Sequence, residues 1–177
     1  LGDHVLSHCE RWLIVVEGNT GWGDADDCSP YGCWWGENLA GHRDDPIVLS
    51  VPNRVVLSPH LYGHGNHNYF SDSDFPNNMP PIWDLQWGHL SKTGRAPILL
   101  GEWGGRYEGK DKTWQDKMAA YLKDETNQVA GNFYWCINPE SGDTGGLLLS
   151  WPSHPDTYFA VKVMFITFRV CTVSITT

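Results

Sequence analysis

Positive charge is what this sequence has least of. Twelve Lys and Arg stand against 21 Asp and Glu, leaving a net charge of −9 and a pI near 5.2. So acidic a chain has no cluster of cations for phosphate, which excludes nucleic acid as a partner, and it offers no polybasic patch to an anionic membrane. No uncharged apolar run is long enough to cross a bilayer, so no membrane span is expected. A starting methionine and a signal peptide are absent too. The opening "LGDHVLSHCERWLIVVEG" reads as the last turns of a helix running into a strand, as in a chain that starts in the middle of a fold. Cysteine is sparse and odd in number, five in all. Cys28 and Cys33 flank the loop "DDCSPYGCWW", where a local disulfide fits a secreted protein. With no second pair nearby they make a poor zinc site, and Cys9, Cys136 and Cys171 have no evident mates.

Tryptophan, by contrast, is abundant: ten residues. Its broad apolar face and polar edge suit flat amphipathic ligands such as sugar rings, although core packing is expected to claim about half of the ten. Four apolar runs read as strands: "WLIVVEG" (Trp12–Gly18), "RVVLSPHLYG" (Arg54–Gly63), "PILLGEWGG" (Pro97–Gly105) and "GNFYWCINPESG" (Gly131–Gly142). The first three are nearly continuous in Val, Ile and Leu, as in strands buried on both faces of a parallel sheet. Helical patterns lie between the last three. "MPPIWDLQWGHLSKTG" carries Trp83, Trp87 and Leu90 on one face. "TWQDKMAAYLKDE" carries Trp114, Met118 and Leu122, with Thr113 expected as its N-cap. The stretch from Gly21 to Ser50 is expected to be mostly loop.

This β-loop-α order predicts an α/β fold with a parallel sheet and helices outside it. Each strand ends in polar or aromatic residues: Glu17, then His60 and Tyr62, then Glu102, then Trp135 and Asn138. Chemistry gathered at the C-terminal ends of parallel strands marks the active face of a (β/α)8 barrel. A doubly wound sheet is the alternative, but no strand is followed by the glycine-rich phosphate turn it would usually carry. Four βα units make only about half of a barrel, which takes roughly 250 residues when complete. Two unpaired edges would then be open to self-association.

With these pieces placed, the chain resembles the C-terminal half of the catalytic domain of glycoside hydrolase family 5 endoglucanases, strands 5 to 8 of the barrel. The stretches "WLIVVEG", "WWGENLAG", "PNRVVLSPHLYG", "FSDSDFPNNMPPIW", "APILLGEWGG" and "NPESGDTGGLL" appear in that family's order and spacing, over roughly residues 1 to 150. The resemblance implies a secreted endo-β-1,4-glucanase that retains configuration, with no metal and no organic cofactor. It implies that Glu102 is the nucleophile, that Tyr62 and His60 are its catalytic neighbours, and that Trp135 is a platform for the sugar ring. Trp34, Trp35 and Asn138 join Trp135 as expected substrate-binding residues. The physics agrees for Glu102: a nucleophilic carboxylate needs hydrogen-bond donors and a rigid mount, and a strand end followed by glycine supplies access.

Retaining hydrolysis also needs a second carboxyl group about 5 Å away as acid and base. The family carries it in an Asn-Glu-Pro motif, and this sequence has none. Glu17 is the right residue type at a neighbouring strand end, although by resemblance it hydrogen-bonds within the site. Glu37 and Glu140 are expected to be solvated or cleft-facing loop residues. His60, His64 and His67 in "HLYGHGNH" could suggest a metal, but a glycine-spaced loop trio reads better as polar loop beside a cleft. Residues 1–156 are therefore expected to form the barrel half, and 157–177, an apolar tail without acids, to diverge from it. The function that follows is cleavage of internal β-glucosidic bonds. Its rival is a chain that lacks the acid/base and only binds β-glucan. Cellulose, mixed-linkage glucan, mannan and xyloglucan remain alternatives as substrate.

Overall fold

The apolar runs become a parallel sheet in the computed structural model, which describes residues 1–19, 32–65, 67–148 and 150. Its strands are β1 (Ile14–Glu17), β2 (Val55–Ser58), β3 (His60–Tyr62), β4 (Ile98–Gly104) and β5 (Val129–Tyr134). Pro59 has no N–H to give a ladder and divides one run into β2 and β3. Both halves still lie along the same side of β4, Leu57 opposite Ile98, and His60, Leu61 and Tyr62 opposite Glu102, Trp103 and Gly104. β1 pairs with β2, and β5 with the other side of β4. Neighbours in space thus follow chain order, all parallel, which is the winding of about half a (β/α)8 barrel. A doubly wound sheet would reverse its order at a switch point.

A short helix, α1 (Gly2–His8), leads into β1 as the opening residues suggest. Between β3 and β4 the Trp83–Trp87–Leu90 stripe is helical throughout, as α2 (Met79–Trp83), one π-helical turn (Asp84–Gly88) and α3 (His89–Lys92). All three stripe residues are buried. The helix before β5, α4 (Gly109–Lys123), begins earlier than expected, and Thr113 lies inside it rather than at its N-cap. Asp111 explains the difference. Its carboxylate accepts the Tyr107 N–H at 2.8 Å, one residue before the N-cap Glu108, and so ties the incoming chain to the first turn.

The core fills the space between the sheet's outer face and these helices. Leu57, Leu61, Ile98, Leu100 and Trp103 meet Trp83, Trp87, Leu90, Trp114, Met118 and Tyr121. Trp83 sits edge-on to Trp114 (5.6 Å) and to Tyr121 (5.2 Å). The inner face is different. β1 is not buried on both faces as its composition suggested, since Val15 is 55% exposed, and Phe133 on β5 is 59% exposed. These side chains point toward the barrel axis, where no strand of the described residues stands opposite. β5 starts two residues before the expected span and ends within it, at Tyr134, after which the chain turns. The expected tail 157–177 lies outside the described residues.

Candidate active site

Simple alternation along β4 would aim Glu102 the wrong way. Ile98, Leu100 and Glu102 would share one face, and the first two are fully buried in the helix-facing core. β4 escapes this by carrying one extra residue. Its step from Leu100 to Trp103 matches only Asn132 to Tyr134 on β5, and the register with β2 and β3 slips by the same amount. Such a bulge reverses the facing of every side chain after it. Trp103 therefore enters the core, and Glu102 turns to the inner face. Gly101 makes the crossing possible, because a Cβ there would lie 2.2 Å from Ser58 Oγ and 2.5 Å from His60 Nε2.

On that face the strand ends converge. The Tyr62 hydroxyl donates a short hydrogen bond to Glu102 Oε2. Burial, reinforced by this bond and the carboxylate's charge, pushes the Tyr62 phenol far above its ordinary value, so it keeps the proton it donates. His60 Nδ1 lies 3.1 Å from Glu17 Oε1 and 3.7 Å from Glu102 Oε2, so one imidazole stands between two carboxylates. All three are partly exposed and open to the inner face.

Three tryptophans lie on segments bonded to these strand ends. Trp135 follows β5 directly, its N–H bonded to Trp103 O at 2.8 Å, with its ring half-exposed. Trp34 and Trp35 occupy a turn whose Gly36 carbonyl accepts the His60 N–H at 3.1 Å, and both rings are exposed. Asn138 is less engaged. Its Oδ1 accepts the Glu140 N–H at 2.9 Å, and the hydrogen bonds it makes stay within the loop after β5.

One expectation changes here. Glu37 is neither solvated nor cleft-facing but 1% exposed, and it accepts the Trp34 N–H at 2.6 Å. The Tyr69 hydroxyl (3.2 Å) and the Gln86 amide (3.4 Å) also donate to it. Burial raises its pKa to about 7. No local signal reveals this, because two of its donors come from distant parts of the sequence. The histidines also separate: His64 packs against Tyr62 at 5.2 Å, while His67 stacks on Tyr69 at 4.7 Å. Among the described residues no three ligating side chains gather for a metal. Cys33 is disulfide-bonded, and the expected partner Cys28 lies outside the described residues.

The inner face thus gathers a carboxylate on a bulged strand end, a tyrosine that donates to it and a histidine within reach of two carboxylates. Residues 2–141 match the family model described as cellulase, glycosyl hydrolase family 5. The chain belongs to this family. It is 46% identical over 159 residues to an endoglucanase of Paenibacillus polymyxa, covering 84% of this chain and 37% of that protein. It is equally identical over 150 residues to the major extracellular endoglucanase of Xanthomonas campestris, covering 81% of this chain and 29% of that protein. The solved catalytic domain of the Xanthomonas enzyme superposes with a TM-score of 0.70 at 42% identity, over 81% of this chain and 41% of its own. An endocellulase of Pyrococcus horikoshii, solved in complex with cellotetraose, gives 0.73 at 35% identity, over 83% and 41%. This family 5 chain thus spans well under half the length of the relatives it matches. No helix among its described residues is long and apolar enough to cross a membrane.

Proposed function

We propose that this chain is an endo-β-1,4-glucanase acting outside the cell on β-glucan with retention of configuration. The observation that carries the reading is the hydrogen bond from Tyr62 to Glu102 at the end of β4. Glu102 is the nucleophile: it attacks the anomeric carbon as the bond to the leaving oxygen breaks, a second carboxyl group gives that oxygen its proton, and water, deprotonated by the same group, later resolves the glycosyl ester. Tyr62 keeps the attacking carboxylate oriented and stabilises its charge, while His60 spans Glu102 and Glu17. Trp135 stacks on the sugar to be cleaved, with Trp34 and Trp35 along the cleft and Asn138 at its rim. The chemistry asks for no metal or organic cofactor. Secretion is supported by the extracellular relative from Xanthomonas and by the disulfide at Cys33.

A second reading, binding without turnover, is favoured by one sequence fact: the chain contains no Asn-Glu-Pro to supply the acid. Reducing-sugar release from soluble carboxymethyl cellulose by the folded chain, measured beside cellotetraose binding, decides between them. Release is the expected result, and Glu17 is then the first carboxylate to replace in search of the acid. Binding without release makes the chain a binding module, and neither one sinks both readings. The same proposal extends to quaternary structure, with the open edges of β1 and β5 pairing between two copies. Analytical ultracentrifugation at roughly micromolar concentration is expected to show a dimer, and a strict monomer rejects the pairing.

A further inference from the structure

The turn that carries Trp34 and Trp35 is held from beneath by one buried acid. The groups bonded to Glu37 come from three parts of the chain: the Trp34 N–H in the turn itself, the Tyr69 hydroxyl from the 3-10 turn Asn68–Ser71, and the Gln86 amide from the π-helical turn. Gln86 also grips both sides of the segment, its Nε2 3.7 Å from Cys33 Sγ and its carbonyl accepting the Leu39 N–H at 3.0 Å. None of the three donors is cationic. A neutral Glu37 keeps all three contacts: Oε2 accepts from Trp34 and Gln86, and Oε1 stays within hydrogen-bond distance of the Tyr69 hydroxyl. An ionised Glu37 keeps its donors but leaves a charge without a counter-ion among the described residues, at a site closed to water.

The neighbouring titratable groups do not supply that counter-ion. Burial, with the charge of Glu37, holds Tyr69 protonated and uncharged. His67, stacked on Tyr69 and edge-on to Trp34 at 5.1 Å, is pushed down to about 4 by burial and stays neutral. On the strand side, His60 meets the turn through its N–H to the Gly36 carbonyl, and its ring is turned to Glu17.

We propose that Glu37 is a positioning residue whose neutral carboxyl group latches the Trp34–Trp35 turn against the cleft, and whose loss of a proton releases that turn. The cleft's ligand rests on the β-glucan reading above, whereas the latch itself does not. The direction follows from linkage. Released and hydrated, the carboxyl returns to its ordinary value of 4.5, and latched it sits at about 7. The latched state binds the proton more tightly, so the latch is fully set below the lower value, weakens as pH rises between the two, and levels off above the higher.

Hydrogen exchange at the Trp34 amide, in the full chain and in Glu37→Gln, tests this. In the wild type, protection corrected for intrinsic exchange is expected to fall roughly fiftyfold between about pH 5 and about pH 7.5. Glutamine keeps the acceptor for Trp34 and a donor for Tyr69 but cannot ionise, so its protection is expected to stay flat. Flat protection in the wild type, or an equal slope in the variant, overturns the proposal. Cellotetraose titration by tryptophan fluorescence separates the two readings: no binding at any pH, with the slope intact, rejects β-glucan as the ligand and leaves the latch standing. Should Glu37→Gln not fold, infrared spectroscopy of the wild type serves instead. A protonated-carboxyl band must persist to roughly pH 6 and vanish as pH rises past about 7, and its absence at the lower pH overturns the latch.

Discussion

Replacing Glu102 with glutamine is expected to lower the rate of reducing-sugar release from carboxymethyl cellulose by at least ~10³-fold. The amide has the shape of the carboxylate and its oxygen still accepts from Tyr62, so the strand end, the bulge and the neighbouring side chains have no reason to move. What is lost is the charge and the lone pair that form the bond to the anomeric carbon. Glu17, the neighbouring carboxylate, is not placed to take over, because it lies on β1, on the other side of the β2–β3 run from β4, and is held at His60 Nδ1 at 3.1 Å. A thermal melt of the variant that matches the wild type shows that chemistry, and not folding, was removed. A variant within about tenfold of the wild-type rate means that Glu102 is not the nucleophile.

The second large effect concerns stability. Trp83→Ala is expected to destabilise the chain by about 3–5 kcal/mol, lowering its melting temperature by roughly 10–15 °C. Trp83 is buried between helices, edge-on to both Trp114 and Tyr121, so truncation leaves a cavity bounded by two large rings. Those rings cannot collapse into the space without leaving the faces they pack against. The loss is severe here because the inner face of the sheet contributes little, with Val15 and Phe133 open to solvent. The outer layer must carry most of the hydrophobic stabilisation, and total stabilities are only about 5–15 kcal/mol. Circular dichroism melts of the two proteins measure the difference, and a shift under about 3 °C shows that the core tolerates the cavity.

Much of the fold is legible in local pattern. The runs at Ile14, Val55 and Ile98 announce strands because β-branched and aliphatic side chains recur without a polar break, and the Trp83–Trp87–Leu90 stripe announces a buried helix face. The start of α4 is not legible in this way. Its first turn is polar, and the group that secures it, Asp111, acts by reaching back to a backbone N–H rather than by hydrophobic periodicity. β5 is displaced from its expected span for a similar reason. The aromatic run that suggested a strand continues past Tyr134 into the loop bearing Trp135, where the rings frame the site instead of a ladder.

The candidate site divides along the same line. Sequence alone singles out Glu102, Tyr62, His60 and the tryptophans as candidates for one site, since residue type, order and spacing are local properties of the chain. Only the tertiary structure decides which way they face. The extra residue in β4 reverses Glu102 from the core to the inner face, and it depends on a close approach between Gly101, Ser58 and His60 on different strands. Glu37 shows the limit most plainly: in the sequence it is one more loop carboxylate, and in the fold it is a buried acid gripped by Tyr69 and Gln86. Hydropathy and spacing act along the chain, whereas desolvation and hydrogen bonding act through space, on whatever the fold brings together.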